Sequence, residues 1–150
     1  MDRAILVPID GSEPAWDALR FALEHHADAD ITAYHVISTV PVPEGRAVDV
    51  AAEHADRLYE ARRDDAEELL ADAARMAVEY GVDLETAYEQ GTPREAILDY
   101  ADTRDVDQII MGSHGHTGLT RVLVGSVAEK VSRHAPVPVT IVRQEAVEGD

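Results

Sequence analysis

The sequence of 150 residues contains no cysteine, which excludes disulfide bonds, thiolate nucleophiles and cysteine-ligated zinc. Basic residues are scarce: 13 lysines and arginines stand against 30 acidic residues, and the formal net charge is −17. A protein with this charge repels nucleic acids and anionic membranes, so we expect neither as a partner. The sequence also lacks an apolar run long enough to span a membrane and a signal-peptide pattern at its start. We therefore expect a soluble, cytoplasmic protein.

Lysine is the scarcest of the charged residues, with Lys130 as its single occurrence. The acidic residues are spread along the whole chain rather than gathered in a tail or a patch. Such a surface indicates a cytosol with very high salt, where screening removes the repulsion between acidic groups. An acidic protein from an ordinary cytosol is the alternative, and the dispersal of the charges favours the halophilic interpretation.

Short apolar segments alternate with amphipathic helical segments along the chain. The hydrophobic content of 45% and the charged content of 29% are those of an ordinary globular domain. The predicted strands are residues 4–9, 31–37, 82–88, 106–111 and 137–142, with helices between them. Residues 38 to about 52, which contain two prolines and a glycine, are predicted to form a loop. The alternation requires a parallel sheet with helices on both faces, so we predict one α/β domain over residues 1–150.

Capping residues mark the ends of three predicted helices. Ser12 is placed to cap the first helix, and Gly81 to end the long second helix in a left-handed conformation. Thr92 and Glu95 have the spacing of a capping box, with Pro93 at the first helical position.

A glycine-rich segment, residues 112–126, follows the fourth predicted strand. Its glycines let backbone amides approach an anion, Gly125 and Ser126 open a helix whose N-terminus attracts negative charge, and Arg121 adds a positive charge. The segment lacks the Gly-Lys-Ser/Thr of a Walker loop and the three close glycines of a dinucleotide-binding turn. Taken alone, the pattern is equally consistent with a phosphate site and with a long loop that ends in a capping serine.

Three segments, in order, resemble the universal stress protein family. The spacing Gly112-x2-Gly115-x9-Gly125-Ser126 is similar to the family's ATP-binding motif, residues 5–12 to its first strand and turn, and residues 124–139 to its last helix and strand. The resemblance covers nearly the whole chain. It implies an open five-stranded parallel sheet of order 3-2-1-4-5, a homodimer, and the ATP-binding branch of the family, with ATP, ADP or AMP and Mg²⁺ as ligands.

The resemblance also implies where a nucleotide would lie. The end of the first strand would line the adenine and ribose, Val36 would face the adenine, and the glycine-rich segment would hold the ribose and the phosphates. His114 stands where this family often has arginine. The expected contacts are Pro8, Ile9, Asp10, Val36, Met111, Gly112, His114, Gly115, Gly125, Ser126 and Val127.

Asp10 is the candidate magnesium ligand, acting through the bound nucleotide. A carboxylate among apolar residues at the end of a strand needs a partner, and a ribose hydroxyl or a magnesium ion would serve. The alternative is that Asp10 caps the first helix beside Ser12. We favour the functional role.

The leading hypothesis for function is an ATP-binding stress-response protein that acts as a nucleotide-dependent switch or binding module. One alternative is an ATP-cleaving enzyme of a related α/β fold, which would need a Ser-Gly-Gly-x-Asp-Ser type of loop where this chain has residues 10–13, Asp-Gly-Ser-Glu. Another is an interaction scaffold that holds no nucleotide. The sequence shows no nucleophile–base pair, so we predict at most slow ATP hydrolysis.

The last predicted strand suggests how a homodimer would form. Residues 137–142 are apolar and β-branched, and in the order 3-2-1-4-5 they form an unprotected edge of the sheet. Pro138 suits an edge, because it removes a donor that a central strand would need. Antiparallel pairing with a two-fold mate would cover this edge. The alternative is a monomer in which the acidic residues 145–150 shield it.

Overall fold

The computed structural model of the chain describes residues 3–38, 48–113 and 125–143, without the side chains of residues 48–55. Strands and helices alternate along these ranges, as the hydrophobic pattern predicts. The elements are β1 Ala4–Pro8, α1 Glu13–His25, β2 Asp30–Ser38, α2 Val48–Glu79, β3 Glu85–Gly91, α3 Pro93–Thr103, β4 Gln108–Gly112, α4 Ser126–His134 and β5 Val139–Val142. Within these ranges no helix is both long enough and apolar enough to cross a membrane.

The strands form one parallel sheet in the order β3-β2-β1-β4-β5, which confirms the predicted fold. The chain moves outward from β1 to β3, returns past β1 to β4, and then moves outward to β5 on the other side. The strand order therefore reverses between β1 and β4. In open α/β sheets, ligands bind beyond the carboxyl ends of the strands at such a reversal.

Helices cover both faces of the sheet, and the alternation of side chains along β1 divides the core in two. Ile5 and Val7 point to one face, where they pack with α1 and α2. Leu6 points to the other face and packs with α3 and α4. All three residues are at most 1% exposed, so β1 is buried on both sides and its ends are held rigidly.

Two predicted boundaries are wrong. Helix α2 begins at Val48, inside the predicted loop, because the helix-breaking residues end with Gly45 and nothing after it opposes a helix. Strand β3 runs over Glu85–Gly91 rather than 82–88. The apolar Val82 that suggested an earlier start is instead buried against the end of α2, where its amide donates to Ala77 O at 3.0 Å. The other strand boundaries agree within two residues.

The predicted helix caps are found in two of the three cases. The Ser12 hydroxyl accepts a hydrogen bond from the Ala15 amide at 3.4 Å, and Gly81 has a φ of +72° just beyond α2. The predicted capping box of α3 lacks its threonine hydrogen bond. Thr92 is the N-cap of α3, and Pro93 follows it, but the threonine side chain makes no capping hydrogen bond.

Candidate functional site

A cavity of about 600 Å³ lies at the carboxyl ends of β1, β2 and β4. Its volume is that of a typical small-molecule site. All of the expected nucleotide contacts that fall within the described residues line it: Pro8, Ile9, Asp10, Val36, Met111, Gly112, Gly125, Ser126 and Val127. The other two, His114 and Gly115, lie outside the described residues. The cavity therefore sits at the reversal of strand order, where the fold favours a ligand.

Asp10 has a partner in its own turn. Its Oδ1 accepts hydrogen bonds from the Ser12 amide at 3.0 Å and from the Ser12 hydroxyl at 2.6 Å, across Gly11 with its φ of +87°. Asp10 is exposed, so the expectation of a carboxylate among buried groups is wrong. The capping alternative accounts for Oδ1. Among the residues that the structure describes, no group of three His, Asp or Glu side chains could hold a metal ion.

The N-terminus of α1 has few amides left for a ligand. The Ser12 amide is bonded to Asp10, the Ala15 amide to the Ser12 hydroxyl, and the Trp16 amide to Ser12 O at 3.1 Å. Pro14 has no amide hydrogen. Three amides at the start of α1 are thus bonded within the protein and Pro14 offers none, so this helix end has fewer donors for a phosphate than an open helix N-terminus.

The N-terminus of α4 is different. Gly125 is the N-cap and has no side chain to cover the helix end, and the first amide bonded within the helix is that of Glu129, which donates to Gly125 O at 2.8 Å. The amides of Ser126, Val127 and Ala128 have no partner inside the helix. All three residues line the cavity. This helix end is suited to an anion, because its free amides and the positive end of the helix dipole meet there.

The pairing of β1 with β2 ends inside the cavity. Asp30 N donates to Arg3 O at 2.7 Å, and Ile9 N donates to Tyr34 O at 2.8 Å. The backbone N–H and C=O groups of the even-numbered residues of β2 therefore point toward β1. Val36 is the next residue of that series. In a continued ladder its amide would donate to Ile9 O. Instead, Ile9 O accepts a hydrogen bond from the His35 side chain, with Nδ1 at 2.8 Å. No described residue bonds to the Val36 backbone on this side, which leaves its N–H and C=O at the cavity.

Helix α2 supplies the charged wall. Arg62 and Asp65 line the cavity, and Arg62 Nη1 donates to Ser38 O, at the end of β2, at 3.2 Å. On the opposite face Tyr34 contributes a buried ring whose hydroxyl donates to Ala96 O at 3.5 Å. Burial, and then the nearby Glu89 carboxylate, raise the pKa of Tyr34. This hydroxyl stays protonated at neutral pH and is a donor rather than a base.

Comparison with known proteins agrees with this geometry. The sequence model of the universal stress protein family matches residues 1–143. The chain belongs to the universal stress protein family. Universal stress protein MJ0531 of Methanocaldococcus jannaschii is 33% identical over 145 residues, covering 95% of this chain and 82% of that protein.

Solved structures of universal stress proteins share the fold. UspA from Lactobacillus plantarum superimposes with a TM-score of 0.80 at 27% identity, over 94% of this chain and 97% of that one. A universal stress protein in complex with cAMP superimposes with a TM-score of 0.69 at 25% identity, over 95% and 98%.

Three residues that line the cavity of this universal stress protein were not predicted from the sequence. His35, Arg62 and Asp65 were not among the expected contacts. A histidine in a half-buried strand and two charged residues on a long acidic helix carry no signal of a site. The spacing of Arg62 and Asp65, three residues apart, does place them on one helix face, but which part of α2 borders the cavity depends on how the helix packs against the sheet.

Proposed function

We propose that the chain binds an adenine nucleotide in this cavity and acts as a nucleotide-dependent switch or binding module in a stress response. The observation that carries the proposal is that two walls of the cavity each present backbone groups to a ligand. Val36 presents its N–H and C=O on one wall and the start of α4 presents its first three amides on another, and none of these groups is bonded to a described residue. These two sets of groups suit the two ends of a nucleotide.

The Val36 backbone suits adenine in particular. Adenine presents an acceptor, N1, beside a donor, its N6 amino group, so one residue's N–H and C=O can bond both. Guanine presents a donor and an acceptor in the reverse order and would leave both backbone groups without a partner, at a cost of about 1–3 kcal/mol each. The apolar Ile9, Val36 and Met111 provide walls for a flat base.

The N-terminus of α4 suits the phosphates. The amides of Ser126 and Val127 and the Ser126 hydroxyl are the donors, with His114 and Gly115 as further expected contacts. Asp10 and Asp65 also line the cavity and would repel a free triphosphate. Mg²⁺ bound to the phosphates would offset this repulsion, and Mg²⁺ is usually held by phosphates with one or two carboxylates. Asp10 Oδ2 has no hydrogen bond to a described residue and is the oxygen we assign to this role.

A related structure supports the ligand class. The universal stress protein in complex with cAMP is similar over nearly its whole length, and cAMP contains both adenine and a phosphate. The ATP-cleaving alternative is weakened by the turn after β1, where the amides of Ser12, Ala15 and Trp16 are already bonded within the protein. We propose that any ATP hydrolysis is slow. The Ser12 hydroxyl is bonded to the Asp10 carboxylate, but it is buried and also accepts from the Ala15 amide as the cap of α1, so it is poorly placed to act as a nucleophile.

The experiment is isothermal titration calorimetry of the full chain in several molar KCl with ATP, ADP, AMP and GTP, each with and without Mg²⁺. We expect saturable binding of the adenine nucleotides, tightest for ATP with Mg²⁺, and much weaker binding of GTP. Mass spectrometry of nucleotide released by heating the purified protein is the complementary measurement. A protein that releases no nucleotide and shows no heat with any of the four is the scaffold of the second alternative.

We also propose that the chain forms a homodimer through β5. This strand pairs with β4 on one side, and its other edge has no strand beside it among the described residues. Each of its four residues is only half-buried, although Val139, Ile141 and Val142 are apolar. A short apolar edge is typical of a surface that a second copy covers.

A further inference from the structure

His35 is the residue that ends the ladder between β1 and β2. Its ring nitrogen Nδ1 lies 2.8 Å from Ile9 O, the acceptor that the Val36 amide would use if the ladder continued. Because a carbonyl oxygen can only accept, Nδ1 must carry a hydrogen in this contact. Ile9 is 3% exposed, so its oxygen needs a protein partner, and the histidine provides it.

We propose that His35 is a positioning residue for the nucleotide base, since its hydrogen bond to Ile9 O keeps the Val36 amide free for the ligand. The inference rests on the proposed function, in that the ligand is an adenine nucleotide. His35 acts on the base without forming a hydrogen bond to it. It bonds to Ile9 O, which would otherwise accept the hydrogen bond of the Val36 amide, and that amide then stays available to the base.

If the histidine bond is lost, Ile9 O needs another donor. A leucine at position 35 would leave Ile9 O as a buried acceptor without a donor, which is costly. The nearest remedy is the Val36 amide, which faces the same side of the strand and needs only a continuation of the parallel ladder. The two strands would then pair for one more step. The Val36 N–H would be used inside the protein and lost to adenine N1.

Asparagine offers the matched conservative variant. Its side-chain amide nitrogen occupies nearly the position of histidine Nδ1, so His35→Asn keeps a donor for Ile9 O, whereas His35→Leu removes it. His134→Leu, at the exposed end of α4, removes a histidine far from β2 and controls for the loss of an imidazole.

The first readout needs no ligand. Amide hydrogen exchange at Val36 in the free protein, measured by NMR, should be fast in the wild type, in His35→Asn and in His134→Leu. In His35→Leu it should slow by roughly tenfold or more as the amide bonds to Ile9 O. Equal exchange rates at Val36 in all four proteins would overturn the proposal.

The second readout is calorimetry with ATP and with inorganic triphosphate. We expect His35→Leu to weaken ATP binding by roughly tenfold and to leave triphosphate binding unchanged, with His35→Asn close to the wild type. Equal losses for both ligands, or a loss in His35→Asn as large as in His35→Leu, would show a general structural role and overturn the proposal. A wild type that binds no nucleotide refutes the proposed function and the ligand half of this inference, while the exchange at Val36 still decides the structural half.

Discussion

Gly112, the last residue of β4, lies directly against the backbone of Pro14 in the first turn of α1. A Cβ atom added to Gly112 would lie 2.6 Å from both the carbonyl carbon and the carbonyl oxygen of Pro14. Real Cβ atoms do not approach backbone so closely, and backbone in a packed helix cannot move aside cheaply. The first glycine of the motif is thus required by the packing of α1 on the sheet, whatever the cavity binds.

Replacing this glycine should therefore destabilise the fold. We expect Gly112→Ala to lower the free energy of unfolding by about 1–3 kcal/mol, the usual cost of overpacking. The contrasting variant is Gly81→Ala, where a Cβ meets nothing within 4 Å and only the positive φ of +72° is strained. Its cost should be about 1 kcal/mol. Urea unfolding monitored by circular dichroism compares the two, and a fully stable Gly112→Ala protein would contradict the packing argument.

Ser126 is a cleaner probe of the phosphate end. It is exposed, it lines the cavity, and Gly125 rather than Ser126 is the N-cap, so Ser126→Ala should leave stability unchanged. We expect it to weaken ATP binding by roughly 1 kcal/mol or more, the scale of a hydrogen bond to a charged group. Binding of adenosine, which has no phosphate, should be unaffected.

The control for this variant is in the same helix. Ser132 is exposed and its hydroxyl donates to Glu129 O at 3.0 Å, away from the cavity lining. Calorimetry on Ser132→Ala should reproduce the wild-type affinity for ATP. Equal affinities in wild type and Ser126→Ala would remove the Ser126 hydroxyl from the site.

The acidic surface predicts that salt stabilises the protein. The net charge is −17. Three ion pairs of the described residues, Arg20–Asp17, Arg75–Asp72 and Arg133–Glu129, lie within single helices at the surface. Such pairs contribute little and leave most of the repulsion uncompensated. The melting temperature should rise steadily from low to multimolar KCl. A flat or falling curve would refute the halophilic interpretation.

If the dimer forms through the edge of β5, a single charged substitution in that strand should dissociate it. Ile141 is half-buried in the single chain, and Ile141→Asp would place a carboxylate in an interface formed by this edge. Val78→Asp is the matched control, because Val78 lies on α2 and is 74% exposed. Sedimentation velocity in high salt should find a dimeric wild type, a dimeric Val78→Asp protein and a monomeric Ile141→Asp protein. A monomeric wild type, or a dimeric Ile141→Asp, would exclude this interface.

The sheet could be predicted from the sequence because its strands are nearly continuous apolar runs, as in residues 4–9, and because strand and helix alternate. The strand order came from the family resemblance and is confirmed. The start of α2 was not predictable, since the prolines and the glycine of residues 41–45 conceal a helix that begins only three residues later.

The site was predictable where backbone conformation and motif agree, and not where it depends on a contact between distant residues. Gly125 and Ser126 do open α4 at the cavity, as their sequence indicates. The sequence favours a ligand contact for Asp10 over a cap beside Ser12, but the hydrogen bonds to Ser12 show the cap for its Oδ1, and only Oδ2 remains for a ligand. The hydrogen bond from the His35 side chain to Ile9 O joins two residues that are 26 apart in the sequence, and no local pattern predicts it.

The most direct test of nucleotide binding is an NMR titration of backbone amides with ATP and, separately, with inorganic triphosphate, in high salt with Mg²⁺. We predict saturable shifts at Val36 with ATP alone, and at Ser126 and Val127 with both ligands, because only ATP carries the base while both carry the phosphates. Saturable ATP shifts that leave Val36, Ser126 and Val127 unmoved, or no saturable shifts at any residue, would contradict the assignment of this cavity to an adenine nucleotide.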